Sequence, residues 1–223
     1  MIQTLRLLLQ RVREAGLRLQ LKKCTWFSKK ITWLGFDISS EGVQIPEKLK
    51  EELLEEKPPL TPASLANWLG RLLYFRQHIV GLSHFSARLH EAAARPPKDW
   101  KLSRVELEDF FMLRRAFLES TAVGFVDYDN LDQNKIKIFL DWSCLGISAL
   151  ATQTQKISKD GRETDKEVLV GSISRKCPPS LRNATSCRGE AAALTLALSA
   201  FANILQNRHF LLHSDHLSLL YLK

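Results

Sequence analysis

A polar stretch at residues 127–134 divides this 223-residue chain into two parts with different hydrophobic patterns. Before it, residues 46–119 carry apolar side chains at helical spacing. After it, from residue 135 onward, apolar and polar residues alternate in short segments, which is typical of half-buried strands. We therefore predict a mixed chain, with α+β and α/β character, in which a helical part is joined at this loop to a part that contains a sheet.

Capping residues mark two helix starts in the first part. Thr61 with Pro62 predicts a helix that ends near Gly81, and Ser103 with Glu106 forms the capping box of a later one. Further helices are predicted at residues 2–15, 46–57, 85–94 and 187–206. Strands are predicted at residues 17–21, 22–27, 31–39, 135–141, 145–153, 167–174 and 208–214, with a polar loop at 154–166.

The chain is basic, with a net charge of +8 and a pI near 9.4. The positive charge lies in residues 1–50 and 135–223, whereas residues 51–134 are net acidic. This distribution fits a polyanionic partner and equally fits a solvated basic surface without one. Four cysteines at no metal-ligand spacing favour reduced thiols in an intracellular protein, cytoplasmic or nuclear. The apolar runs are too short for a membrane span, so no membrane partner is expected, and the oligomeric state stays open.

Three acidic residues are placed where they could act together. Asp141 closes a strand pattern, Glu190 opens an alanine-rich helical pattern, and Asp215 ends a second strand pattern. Carboxylates at two strand ends and on one helix can converge on a pair of hard divalent cations, which suits cleavage of a phosphodiester. Each acid also has a simpler interpretation: a turn residue, a helix-start charge and an N-cap, respectively.

Six short motifs occur in an order that resembles one family. They are Leu21-Lys22-Lys23-Cys24, Trp33-Leu34-Gly35-Phe36, Leu69-Gly70-Arg71-Leu72-Leu73-Tyr74-Phe75-Arg76, Leu140-Asp141-Trp142-Ser143 with Gly146-Ile147, Ser174-Arg175-Lys176 and Ser214-Asp215-His216. Together they resemble the Pol polyprotein of Ty3/gypsy-type retroelements, from the last part of the reverse transcriptase into the ribonuclease H domain. The resemblance implies the end of the palm at residues 1–45, a helical thumb or connection at 46–126, and a truncated ribonuclease H-like domain with a mixed sheet at 135–223.

The resemblance also implies an activity for the last part. In that family the three acids bind two Mg²⁺ ions, which Mn²⁺ can replace, and cleave the RNA strand of an RNA·DNA hybrid. Asp141, Glu190 and Asp215 would be the catalytic and metal-binding residues here. The implied partners are an RNA·DNA hybrid or other nucleic acid and the rest of a Pol polyprotein.

Further residues would contact nucleic acid by the same resemblance. The hairpin with Trp33 and Gly35 would lie against the primer strand. Ala66, Gly70 and Tyr74 share one helical face and would approach a minor groove. A hairpin packed into the core, and a helix face used for close helix packing, are the alternatives.

Three residues of the last part complete the expected contacts. Ser174 and Arg175 would contact the hybrid backbone, although Arg175 could equally be an ordinary loop charge. His216, next to Asp215, would assist product release or contact phosphate, or would simply start a helix.

Several features depart from the family pattern. The polymerase Tyr-x-Asp-Asp turn is expected before residue 1 and a fourth carboxylate beyond Lys223, so DNA synthesis is not expected of this chain alone and the metal site would be one ligand short. Leu140 and Trp142 replace the usual Thr and Ala beside Asp141. A non-catalytic nucleic-acid-binding remnant, domesticated or degenerate, is therefore the alternative to a nuclease.

Overall fold

The computed structural model describes residues 2–159 and 162–215. The helices of this part of the chain are α1 Ile2–Glu14, α2 Glu47–Glu55, α3 Pro62–Tyr74, α4 Leu82–Ala93, α5 Arg104–Leu118, α6 Ser186–Ala200 and α7 Ala202–Leu205. The strands are β1 Lys30–Trp33, β2 Phe36–Ser39, β3 Gly42–Gln44, β4 Ile136–Trp142, β5 Gly146–Lys159, β6 Arg162–Lys176 and β7 Phe210–His213. Short 3₁₀ turns lie at Leu21–Lys23, Arg76–His78 and Pro179–Leu181.

The strands form two separate sheets. The first is antiparallel, in the order β1-β2-β3, and the second has the order β6-β5-β4-β7. In the second sheet β6, β5 and β4 are antiparallel neighbours, whereas β7 pairs with β4 in parallel. A helical part followed by a mixed sheet with a covering helix confirms the predicted fold class.

Each part has its own hydrophobic core. Helices α2 to α5, the residue that follows β3 and two residues between α3 and α4 build the core of the helical part. Its buried members are Ile45, Leu53, Leu65, Trp68, Leu69, Leu72, Phe75, Ile79, Leu82, Leu89, Ala92, Phe110, Leu113 and Phe117. The second core lies between the mixed sheet and α6–α7, with buried members Ile136, Ile138, Ala149, Ala151, Ala197, Phe201 and Leu205. The predicted domain limits stay predictions, but the chain passes from one core to the other at residues 118–135.

Both predicted helix caps are confirmed. The Thr61 side chain accepts a hydrogen bond from the Ser64 backbone N–H, and Ser103 accepts one from that of Glu106. The predicted end of the first of these helices is wrong, because α3 stops at Tyr74 and a 3₁₀ turn follows. Gly81, with a φ of 71°, instead precedes α4.

Two strand predictions are also wrong. Residues 17–21 and 22–27 form no strand; they are irregular apart from the 3₁₀ turn, because alternation of apolar residues makes a strand only where a partner strand can pair with it. Residues 154–166 were predicted as a loop, yet β5 and β6 pair through most of that range. Polar side chains stabilise this extension: Lys137 donates to Glu167 at 2.8 Å and to Thr154 at 3.0 Å across the sheet.

The junction loop is fastened to the sheet by one buried side chain. Gln153, on β5, is fully buried. Its Oε1 accepts from the Asp127 N–H at 2.8 Å, and its Nε2 donates to the carbonyls of Asp127 at 2.9 Å and Asn134 at 3.0 Å. The amide therefore holds both ends of the loop against the sheet.

Helix α4 connects the two parts. The Ser83 N–H donates to Ser174 Oγ at 3.0 Å, and the Lys176 ammonium contacts Glu91 Oε1 at 3.0 Å. Gly146 lies so close to Ser83 that a side chain there would overlap it. Among the described helices, none is long and apolar enough to span a membrane.

Candidate active site and nucleic-acid interface

Two of the three predicted catalytic acids lie two residues beyond the last paired residues of the neighbouring strands β4 and β7. Phe139 on β4 pairs with His213 on β7, and their rings stack with centroids 4.6 Å apart. Asp141 and Asp215 are each two residues further along the same two parallel chains, so they follow on the same side. Because adjacent strands lie about 4.8 Å apart, a continuation of this pairing by two residues would bring the two carboxylate-bearing residues together at the end of the sheet. Both are exposed.

Asp141 has a polar neighbour on the next strand. Ser148 lies directly opposite it on β5, and its hydroxyl donates to Asp141 Oδ2 at 3.3 Å. This bond orients the carboxylate while leaving its other oxygen open to solvent. Ser148 is not among the predicted site residues, although a serine in the alternating strand that follows the Asp141 strand is a signal that could have identified it.

Glu190 is placed differently from the two aspartates. It lies in the second turn of α6, is only 4% exposed, and accepts a hydrogen bond at 3.4 Å from the hydroxyl of Ser214, the residue before Asp215. Helix α6 covers the sheet face that carries Ile138 and Leu140. Since side chains alternate along a strand, Asp141 emerges on the opposite face.

The three acids therefore share one end of the domain without forming a compact cluster. Among residues 2–159 and 162–215, no three His, Cys, Asp or Glu side chains lie close enough to hold a metal ion. Carboxylate oxygens are nevertheless the hard donors that Mg²⁺ prefers. The donor types and the backbone positions fit a divalent cation, and the carboxylates of Asp141, Glu190 and Asp215 would have to turn toward one another to bind it.

The predicted primer-strand hairpin is an exposed β1–β2 turn. Leu34 and Gly35 have φ values of 48° and 77°, as in the tight turns that join twisted antiparallel strands. Trp33 and Leu34 are 62% and 63% exposed. The Tyr74 hydroxyl donates to the Leu34 carbonyl at 2.6 Å, and its ring stacks on Phe36. The end of α3 therefore supports the hairpin from one side while the indole of Trp33 stays exposed.

The small-residue face of α3 is open. Ala66, Gly70 and Tyr74 are all exposed. A Cβ atom on Gly70 would have no neighbour within 4 Å, so no described element packs on the helix there. Through Tyr74 this face is continuous with the hairpin, and the two make one exposed surface.

The other predicted contact residues, Ser174, Arg175 and His216, differ in their surroundings. Ser174 is half-buried, and its hydroxyl is engaged by Ser83 of α4, while Arg175 is exposed on β6. His216 lies outside the described residues. The structure thus places Ser174 at the contact between the two parts of the chain, and leaves Arg175 accessible to a ligand.

Two histidines of the helical part have altered acidity. Burial lowers the pKa of His78, and a hydrogen bond between its Nδ1 and the Thr121 carbonyl opposes that shift. Burial, followed by the charge of Lys176, also lowers the pKa of His90. The lowered pKa favours the neutral form of both rings near pH 7.

Residues 132–223 match the family of RNase H-like domains found in reverse transcriptases. Nearly the whole chain is also similar to retroelement polyproteins. It is 22% identical, over 96% of its length, to 19% of the retrovirus-related Pol polyprotein from transposon 297 of Drosophila melanogaster. It is 21% identical, over 95% of its length, to 15% of the transposon Tf2-3 polyprotein of Schizosaccharomyces pombe. The chain thus spans about a fifth or less of these relatives.

Solved structures show the same fold. The foamy viral protease-reverse transcriptase in complex with an RNA/DNA hybrid superposes with a TM-score of 0.72 at 16% identity, covering 96% of this chain and 28% of that one. The same viral enzyme in complex with dsDNA also gives 0.72 at 16% identity, over 98% and 43% of the two chains. The family match, the polyprotein relatives and the shared fold agree: this chain is similar to the reverse transcriptase–ribonuclease H segment of Ty3/gypsy-type retroelement Pol polyproteins.

Proposed function

We propose that residues 132–223 form a ribonuclease H-type nuclease that cleaves the RNA strand of an RNA·DNA hybrid with the help of divalent metal ions. The parallel pairing of β4 with β7 carries this proposal, because Asp141 and Asp215 each follow two residues after its last pair, Phe139 with His213. Glu190 supplies a third carboxylate from the helix that covers the same strands. The helical part and the hairpin would hold the substrate, in the cytoplasm or nucleus of the host cell.

Each residue of the site has a defined task in this reaction. Asp141, oriented by Ser148, and Asp215 are the exposed ligands for metal. Glu190 is the inner ligand, and Ser214 links it to the end of β7. Mg²⁺ or Mn²⁺ bound by these carboxylates would supply an activated water and would stabilise the leaving oxygen of the phosphodiester.

The exposed surface of the hairpin and α3 suits a nucleic-acid duplex. Trp33 and Tyr74 offer aromatic rings, while Ala66 and Gly70 let backbone approach closely. Such a surface reads shape and backbone rather than sequence, as recognition of an A-like hybrid requires. Structural neighbours have been solved with an RNA/DNA hybrid and with dsDNA, which supports a duplex as ligand.

A hybrid cleavage assay tests the proposal. A labelled RNA annealed to DNA is incubated with the chain at increasing Mg²⁺, and the Asp141→Asn variant is compared with Asp132→Asn, the same change at an exposed acid of the junction loop. We expect Mg²⁺-dependent cleavage that Asp141→Asn abolishes and Asp132→Asn preserves. Absence of cleavage by the unaltered chain, or equal cleavage by both variants, contradicts a nuclease.

A non-catalytic nucleic-acid-binding remnant is the second candidate. It is favoured by the acids themselves, since among the described residues no three of them gather around a common point. It predicts duplex binding that weakens steeply with salt and is indifferent to Mg²⁺ and to Asp141→Asn. Duplex binding measured by fluorescence anisotropy, with and without Mg²⁺ and for Asp141→Asn, at salt concentrations between about 50 and 200 mM, separates the two candidates.

A further inference from the structure

A large aromatic side chain packs against a glycine where β4, which carries Asp141, contacts α6, which carries Glu190. A Cβ atom on Gly189 of α6 would lie less than 3.0 Å from three ring atoms of Trp142, at the end of β4. Real Cβ atoms do not come that close to other atoms, so the indole occupies the space that any other residue at position 189 would need. The two positions are therefore complementary in size.

Their place in the chain links this contact to the site. Trp142 immediately follows Asp141, and Gly189 immediately precedes Glu190. The contact is thus the point at which the backbone segments bearing the two carboxylates rest on each other. Any change in the thickness of the contact moves Glu190 relative to Asp141.

Neither residue has a sufficient local reason to be there. Glycine weakens a helix interior relative to alanine, and Gly189 lies within α6, buried. The Trp142 Nε1 is buried and makes no hydrogen bond within the described residues, so the indole is retained for its volume and not for its polar atom. Position 189 is glycine because the Trp142 ring fills the space of a side chain, and position 142 can hold tryptophan because position 189 has no side chain.

We propose that Trp142 and Gly189 are a positioning pair, in which ring volume against bare backbone sets the separation of α6 from β4 and hence the distance between Asp141 and Glu190. The inference rests on the proposed nuclease function. It adds that the site tolerates a large residue beside Asp141 only while position 189 is glycine. Neither residue of the pair touches the substrate or a metal ion.

Variants that change the size of the side chain at position 142, at position 189 or at both test the positioning pair. Gly189→Ala forces α6 away from the indole, Trp142→Ala leaves a void, and the double variant removes both the ring and the glycine. The matched control is Gly171→Ala, whose Cβ would lie 2.8 Å from the Phe201 ring, in the same core but on a strand position away from the acids. Circular dichroism establishes that each variant keeps its helices.

Two readouts are followed: the rate of hybrid cleavage, and the rise in melting temperature that saturating Mg²⁺ produces without substrate. A displacement of about 1 Å at a catalytic group can cost roughly 100-fold in rate. We expect a loss of that order in kcat for Gly189→Ala with little change in KM, and loss of the Mg²⁺-induced rise. The double variant should recover at least about a tenth of the cleavage rate that Gly189→Ala loses. Trp142→Ala alone should lower the rate.

The control separates positioning from general destabilisation. Gly171→Ala should lower the melting temperature but retain the rate at a permissive temperature and the response to Mg²⁺. The inference alone is overturned if Gly189→Ala keeps both responses, if Gly171→Ala loses them equally, or if the double variant is no better than Gly189→Ala. If the unaltered chain shows neither cleavage nor a response to Mg²⁺, the proposed function fails and the positioning role fails with it.

Discussion

Replacement of Gln153 by methionine should destabilise the sheet-containing part more than any change of comparable size on its surface. Methionine keeps the length and volume of the buried side chain but cannot hydrogen-bond well. The substitution would leave the Asp127 N–H and the carbonyls of Asp127 and Asn134 without the partners they have at 2.8 to 3.0 Å.

The expected loss follows from these three bonds. An unsatisfied buried polar group costs about 1–3 kcal/mol, and the loop groups are only partly buried, so about 1 kcal/mol each is appropriate. The total of about 3 kcal/mol is a large share of the roughly 5–15 kcal/mol by which domains are stable. At roughly 2–4 °C per kcal/mol for a chain of this size, the melting temperature should fall by about 6–12 °C.

Urea denaturation followed by circular dichroism measures the loss, and hydrogen exchange at the amides of β5 locates it. The control is Gln133→Met, the same chemical change at an exposed position of the junction loop. A free energy of unfolding lowered by less than about 1 kcal/mol, or lowered equally by Gln133→Met, would show that water satisfies the loop and that the buried amide is not its fastening.

Three further perturbations concern the helical part and its contacts. Burial lowers the pKa of His78, so the neutral ring stabilises the fold at pH values above the pKa of the unfolded chain, about 6.5. This stabilisation is lost as the pH falls toward the pKa of His78 in the folded protein. The urea midpoints at pH 7 and pH 5 should therefore differ less for His78→Gln than for the unaltered chain. Tyr74→Phe removes the bond to the Leu34 carbonyl, and should cost about 0.5–1 kcal/mol and weaken duplex binding in an anisotropy titration; unchanged affinity would contradict a role of the hairpin in binding. Ser174→Ala removes the contact with Ser83 and should lower the melting temperature; affinity for a hybrid that stays unchanged would assign Ser174 to the contact between the two parts and not to the substrate.

The sequence alone predicted correctly those features that depend on residues close together in the chain. Thr61 and Ser103 start helices because their side chains satisfy amides three residues away, and that relation is visible in the letters. The end of α3 at Tyr74 was not visible, because Tyr74 and Phe36 meet only after the hairpin has packed on the helix. Propensity alone would have allowed the helix to continue.

Some features of the candidate site could also be predicted from the sequence, whereas others required the structure. The resemblance of motifs supplied Asp141, Glu190 and Asp215, and the two aspartates follow two residues after the last pair of β4 and β7. Sequence patterns could not show that Ser214 would hold Glu190 in a buried position, since this contact joins a helix to a strand 24 residues further along the chain. Trp142 stood out in the sequence only as an oversized residue, and its explanation required the geometry of α6.

The parallel pairing of β4 with β7 also determines when the site can exist during folding. Strands β5 and β6 follow each other in the sequence, whereas Phe139 pairs with His213 across a stretch of chain that includes β5, β6 and α6. Contacts between residues so distant in sequence form slowly, because the entropy of closing the intervening chain is lost before the contact stabilises anything. Asp141 and Asp215 are therefore expected to meet last, so a folding intermediate would already have most of its sheet and helix while lacking the capacity to cut.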